Sequence, residues 1–106
     1  MAIESTISRP RRLSVLGSTG SIGRSTLDVI ARDRSSYDIE GLTAYNSVDL
    51  LVKQALEFRP RMVAIGNESR FTELRAALAG TGIEVGAGCQ ALIEVASRSV
   101  DWIMAG

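Results

Sequence analysis

Three glycines recur at even spacing in VLGSTGSIGRSTLDVI, residues 15–30, namely Gly17, Gly20 and Gly23, with Thr19 and Ser21 among them. They stand between a short apolar run and a stretch with helical periodicity. Glycines that leave a strand and open a helix have a specific chemical use. Gly17 permits the sharp turn, Gly20 removes a Cβ where backbone must approach a diphosphate, and Gly23 lets the helix lie close on the sheet. The N–H groups of residues 19–22 then sit at a helix N-terminus, where unsatisfied donors and the positive dipole end attract an anion. The Thr19 and Ser21 hydroxyls add donors there, and Ile22 enters the set through its N–H. A turn that only packs tightly also uses glycine, but packing alone does not ask for three at even spacing. A triphosphate loop is excluded on two counts: five residues, not four, separate Gly17 from Gly23, and Arg24 stands where that motif needs Lys. The turn reads as a dinucleotide site.

The far end of such a ligand falls about 20 residues on, where an Asp or Glu marks NAD. Here that stretch is LTAYNS, residues 42–47, with no acidic group. A ribose 2′-phosphate is not repelled there, so NADP is favoured over NAD. Tyr45, Asn46 and Ser47 can donate hydrogen bonds, and Tyr45 can stack on adenine. No Arg or Lys adjoins them; Arg59 and Arg61 follow the next helix. The other reading of the trio is an ordinary polar loop.

Alternating strands and helices position these groups. RLSVLG predicts a first strand, and Ile22, Leu27, Ile30 and Ala31 one face of a helix ending near Asp33. YDIEGLTAY predicts a second strand, weakened by Gly41 in its middle. Ser47 stands at the N-cap of SVDLLVKQALEF, whose Val48, Leu51, Val52, Ala55 and Leu56 follow helical spacing, and Pro60 closes it. RMVAIG is a third strand. Asn67 caps a helix with Phe71, Leu74, Ala77 and Leu78 on one stripe, ended by Gly80 and Gly82. IEVGAG, then CQALIEVASRS with Leu92, Val95 and Ala96 inward, then VDWIMAG complete the chain. Five strands and four helices in strict alternation specify an α/β protein with a parallel sheet covered on both faces, of the doubly wound Rossmann type. Residues 1–11 read as a flexible tail and residues 12–106 as the domain. A fifth strand that ends in AG leaves unmade the loop that lines the ligand crevice in this fold, so the chain reads as a fragment truncated at its C-terminus.

Composition narrows the function. The chain has 106 residues, 45% hydrophobic and 23% charged, with a net charge of zero, which argues against a general nucleic-acid or membrane-surface binder. It has no histidine and one cysteine, so imidazole catalysis, an intramolecular disulfide and a cysteine metal cluster are excluded within these residues. No apolar run reaches the roughly 18 residues of a membrane span. MAIESTISRPRR lacks the apolar core of a secretory signal, which points to the cytoplasm. Asp28, Asp33, Glu68 and Glu73 read as solvated charges rather than an acid/base pair. Cys89 reads as a small, semi-buried residue at a helix start, with a nucleophile as the alternative. Trp102 reads as core.

VLGSTGSIGRSTLDVI, the later LEFRPRMVAI and the closing DWIMA together resemble the N-terminus of the 1-deoxy-D-xylulose 5-phosphate reductoisomerase family, from about Arg12 to Gly106. The resemblance implies an NADPH-dependent oxidoreductase of the non-mevalonate route to isoprenoids. Such an enzyme turns 1-deoxy-D-xylulose 5-phosphate into 2-C-methyl-D-erythritol 4-phosphate with Mg2+ or Mn2+, as a homodimer. It implies that Thr19, Gly20, Ser21 and Ile22 contact the cofactor phosphates and that Ala105 lies near the cofactor. Tyr45, Asn46 and Ser47 stand where the family carries Gly-Lys-Asn or a similar basic triplet, so the basic residue is missing. The family also continues MAAIVG where this chain reads MAG. Its Asn-Lys-Glu segment, metal carboxylates, closing loop and active-site histidines all lie downstream. The resemblance therefore implies no catalytic and no metal-binding residue in this chain, which would hold NADPH without performing the chemistry. The alternatives are the dinucleotide domain of another dehydrogenase or epimerase and a non-catalytic nucleotide-binding domain. A short-chain reductase needs Tyr-x-x-x-Lys, which is not found.

Overall fold

Short apolar runs between glycine-rich and polar punctuation form the strands, and the longer amphipathic stretches between them form the helices. The computed structural model describes residues 10–105. They run β1 (Arg11–Leu16), α1 (Ser21–Ala31), β2 (Tyr37–Ala44), α2 (Val48–Phe58), β3 (Met62–Ile65), α3 (Phe71–Ala77), β4 (Glu84–Ala87), α4 (Gly88–Ser97) and β5 (Trp102–Ala105). Single 3-10 turns precede β2 and α3, at Arg34–Ser36 and Glu68–Arg70. Most of the expected tail lies outside the described residues. Arg11, placed in it, already pairs with Tyr37 as the first residue of β1.

All strand pairs are parallel, in the order β4-β3-β2-β1-β5. The chain steps one way from β1 to β4, then returns through α4 to set β5 on the other side of β1. Right-handed crossovers put α1, α2 and α3 on one face and α4 on the other. Leu27, Ile30, Leu51, Phe58 and Leu74 belong to the larger core, with Leu13, Val15, Ile39 and Ile65 from the strands. On the other face α4 buries Ala91 and Val95 against Met62 and Ala64. Burial on both faces explains why MVAI is apolar throughout rather than alternating. Gly41 does not end β2. A Cβ there would lie 2.6 Å from Val95 Cγ1, so glycine is what lets α4 approach the sheet.

Charged groups gather at the N-terminal edge of the sheet. Glu40, almost fully buried, accepts hydrogen bonds from Arg61 at 3.1 Å and Arg98 at 2.9 Å. Arg98 also donates to Glu84 at 2.6 Å and Glu94 at 3.0 Å. The bond to Glu40 leads in holding the Arg98 guanidinium above its ordinary pKa, against an opposing desolvation effect. Arg61 is held up chiefly by Asp38.

Several side chains depart from the helical-stripe expectation. Ile22 is 60% exposed, and Ala31, Leu56 and Ala77 also face out. In α2 the buried face turns instead toward Gln54 and Phe58. Trp102 is 45% exposed rather than core, because β5 is an edge strand of the described sheet, paired with β1 on one side only; Arg11 stacks over its ring at 4.6 Å. Cys89 is exposed rather than semi-buried, since the buried stripe of α4 runs through Gly88, Ala91 and Val95 and leaves position 89 on the outer face.

Candidate functional site

The chain leaves β1 through Gly17, whose φ of 74° is the left-handed region that favours glycine. The turn is held from beneath by two residues of other elements. Thr43, near the end of β2, accepts from the Gly17 N–H through Oγ1 at 2.9 Å and from the Ser18 N–H through its carbonyl at 2.8 Å. Gln54 of α2 accepts from the Ser18 hydroxyl at 2.7 Å and donates through Nε2 to the Ser18 carbonyl at 2.9 Å. Ser18 is fully buried and Gln54 nearly so, which makes these bonds expensive to lose. Ser18, Thr43 and Gln54 escape motif reasoning. The one signal for them in the sequence is Gln54, a polar residue on the stripe of Leu51, Ala55 and Phe58.

The other two glycines answer to different constraints. A Cβ on Gly23 would lie 2.3 Å from the Gly17 carbonyl oxygen and 2.6 Å from Ser18 Cα. Only glycine lets α1 start this close, and the close approach is to the turn itself rather than to the strands. Gly20 is exposed at φ −77°, and its Cβ would meet nothing nearer than the Gly17 carbonyl oxygen at 3.5 Å. The chain's own packing does not require glycine at position 20. The space a Cβ would fill lies on the solvent side of the turn.

The donors sit at the same place. The Gly20 N–H is not among them, since it donates to the Gly17 carbonyl at 3.1 Å. Arg24 makes the first helical bond, to the Gly20 carbonyl at 2.9 Å. The preceding N–H groups of Ser21, Ile22 and Gly23 head α1, where intrahelical carbonyls do not reach. No acidic side chain stands in that first turn and the cap residue has no side chain, so the positive end of the helix is left for an outside anion. Ile22, exposed here, has no role in the core. Ala105 pairs in register with Leu16, so the end of β5 flanks the turn. β1 and β5 bracket the point where the direction of strand addition reverses, the place where open parallel sheets bind ligands.

Tyr45, Asn46 and Ser47 follow β2 on the same edge of the sheet, and all three are exposed. The Tyr45 ring lies over Gly66, where a Cβ would come within 2.4 Å of Cδ1. Asn67, in the loop after β3, donates its N–H to the Tyr45 carbonyl at 2.9 Å and its Nδ2 to Asn46 Oδ1 at 2.7 Å. It also accepts from the Ser69 N–H at 3.0 Å, capping the 3-10 turn before α3 rather than the α-helix itself. Ser47 holds the N-cap position of α2 without a side-chain cap bond. Arg59 and Arg61 are placed elsewhere. Arg61 precedes β3 and pairs with Asp38 and Glu40 on the opposite edge, and Arg59 ends α2 in the left-handed region at φ 52°.

Fold and turn together define a Rossmann-type α/β domain with its glycine turn at the switch point. Residues 13–106 match the family model for 1-deoxy-D-xylulose 5-phosphate reductoisomerase. The chain belongs to that family. It is 55% identical over 95 residues to the 1-deoxy-D-xylulose 5-phosphate reductoisomerase of Nitrobacter winogradskyi and 53% identical to one from Rhodopseudomonas palustris; each alignment covers 90% of this chain and 23% of the relative. Among solved structures, the Zymomonas mobilis reductoisomerase in complex with NADPH superposes with a TM-score of 0.87 at 41% identity, over 90% of this chain and 25% of that one. A reductoisomerase in complex with NADPH, fosmidomycin and magnesium gives 0.80 at 33% identity, over 88% and 23%. The chain thus spans about a quarter of the length of the relatives it matches.

Proposed function

We propose that this chain is the NADPH-binding part of a 1-deoxy-D-xylulose 5-phosphate reductoisomerase, the enzyme that forms 2-C-methyl-D-erythritol 4-phosphate. The observation that carries the reading is Gly20: an exposed glycine that the chain's own packing does not need, set against open helix donors at the switch point of the sheet. In this role Gly17 turns the backbone, Gly20 admits the diphosphate, and the N–H groups of Ser21 and Ile22 donate to its oxygens. The Thr19 and Ser21 hydroxyls add to them, and Gly23 keeps the helix start against the turn. Tyr45, Asn46 and Ser47 face the adenosine end, and Ala105 borders the path toward the nicotinamide. When bound, NADPH supplies a hydride. Thr43 and Gln54 hold the turn in its binding shape before the ligand arrives, which lowers the ordering cost of binding.

The implied Mg2+ or Mn2+ has no fit in this part of the enzyme. Among the described residues no three Cys, Asp or Glu side chains come together as ligands, and no step here runs through a metal. The chain by itself holds cofactor and does not catalyse. A homodimeric whole enzyme in the cytoplasm belongs to the same reading, supported by the family. The balanced net charge supports a small-molecule partner over nucleic acid, and no helix among the described residues is long and apolar enough to cross a membrane. Calorimetric titration of the chain with NADPH and with NADH tests the proposal. Saturable binding with NADPH the tighter is expected; binding of neither, or preference for NADH, contradicts it.

A further inference from the structure

The loop that faces the adenosine ribose lacks a cation of its own, yet a cation is built beside it from another element. Asn46 and Ser47 line an open cavity of about 460 Å³ together with Arg70, Glu73, Asp49, Val48 and Leu50. Arg70 closes the 3-10 turn before α3, donating its backbone N–H to the Asn67 carbonyl at 3.0 Å. Asn67 is in turn bonded to the Tyr45 carbonyl at 2.9 Å and to the Asn46 side chain at 2.7 Å. Arg70 is therefore tied to the 45–47 loop through one residue, although 23 positions after Ser47 in sequence. Arg24 and Lys53 line the adjoining groove between α1 and α2, with Asp28 and Glu57, which meets this cavity at Leu50 but includes neither Asn46 nor Ser47.

We infer that Arg70 is a specificity-determining residue for this site, supplying the positive charge that recognises the cofactor's ribose 2′-phosphate in place of a basic residue at 45–47. The inference rests on the proposed NADPH role. Two carboxylates bear on Arg70. Glu73 pairs with it at 3.2 Å, with both side chains about half exposed, and Asp49 lines the same cavity. An exposed pair of this kind is weak. A phosphate dianion offers a guanidinium two parallel charge-assisted bonds, so it displaces Glu73.

The test uses the 106-residue chain, with NADPH and NADH affinities measured by calorimetry on wild type, Arg70→Gln, Arg70→Lys and Glu73→Gln. Arg70→Gln is expected to lower NADPH affinity about tenfold and leave NADH affinity unchanged. Arg70→Lys should recover part of the loss. Glu73→Gln, which frees the guanidinium, should hold or raise the preference for NADPH. Circular dichroism melts confirm that each variant is folded. If wild type prefers NADPH and Arg70→Gln keeps that preference, or weakens both nucleotides alike, this inference is overturned and the NADPH role stands. If wild type binds neither nucleotide, the role and the inference fall together.

Discussion

Alanine at Gly23 puts a methyl group 2.3 Å from the Gly17 carbonyl oxygen and 2.6 Å from Ser18 Cα, whereas alanine at Gly20 puts one 3.5 Å from its nearest neighbour. Both neighbours of the Gly23 methyl are backbone, and the buried Ser18–Gln54 bonds pin that backbone, so neither can swing away. Overpacking of this sort costs about 1–3 kcal/mol, with the upper end apt for a backbone clash. Alanine's better helix propensity returns about 1 kcal/mol. Gly23→Ala is thus expected to destabilise by about 2 kcal/mol, a fall of roughly 8–16 °C in melting temperature for a domain of this size. Gly20→Ala has an allowed extended backbone and open space, and loses only the modest advantage of glycine over alanine at an N-cap, up to about 1 kcal/mol. In the proposed binding mode its methyl instead meets the diphosphate, so NADPH affinity should fall at least about tenfold, or ~1.4 kcal/mol. Thermal melts with NADPH titration of both variants read the two effects apart. Equal melting temperatures for the two variants, or unchanged NADPH binding by Gly20→Ala, would refute the division of roles.

Further outcomes follow from the same geometry. Gln54→Leu strips the partners from the buried Ser18 hydroxyl and carbonyl, and should cost roughly 2–4 kcal/mol in urea unfolding and weaken NADPH binding although Gln54 lies beneath the turn. Glu40→Gln leaves Arg61 and Arg98 without their buried carboxylate. A loss of about 1–3 kcal/mol is expected, below the full buried-pair value because the arginines reach solvent. Because both arginines have folded-state pKa values raised above their ordinary, already strongly basic value, the stability they add is fully present below that ordinary value and lost only as pH rises through the raised one. The melting temperature should therefore show no step from their titration between pH 6 and 9, and a step there that Glu40→Gln abolishes would contradict that assignment.

Much of this fold is legible from periodicity. Each of the five strands and four helices falls where apolar spacing and glycine punctuation place it. Strand order was not legible, because it depends on which face each crossover covers. The clue to it was Gly41, which reads as a defect in β2 until Val95 of α4 is found against it. Trp102 shows a second limit: hydrophobicity alone does not tell a central strand from an edge one, and β5 lies at the edge. In the site, the glycine spacing was readable because φ and Cβ clearance are local properties. Thr43, Gln54 and Arg70 were not, since each acts across 23 or more positions of sequence through contacts that only the sheet creates.

In the proposed function the turn from Gly17 to Gly23 grips the diphosphate of a dinucleotide. Amide chemical-shift mapping of the ¹⁵N-labelled chain during NADPH titration tests it most directly. The largest shifts are expected at the N–H groups of Thr19, Ser21, Ile22 and Gly23, smaller ones at Tyr45, Asn46 and Ser47, and none along the exposed face of α4 at Ile93 and Glu94. Shifts that leave residues 19–23 unmoved while NADPH binds would contradict it.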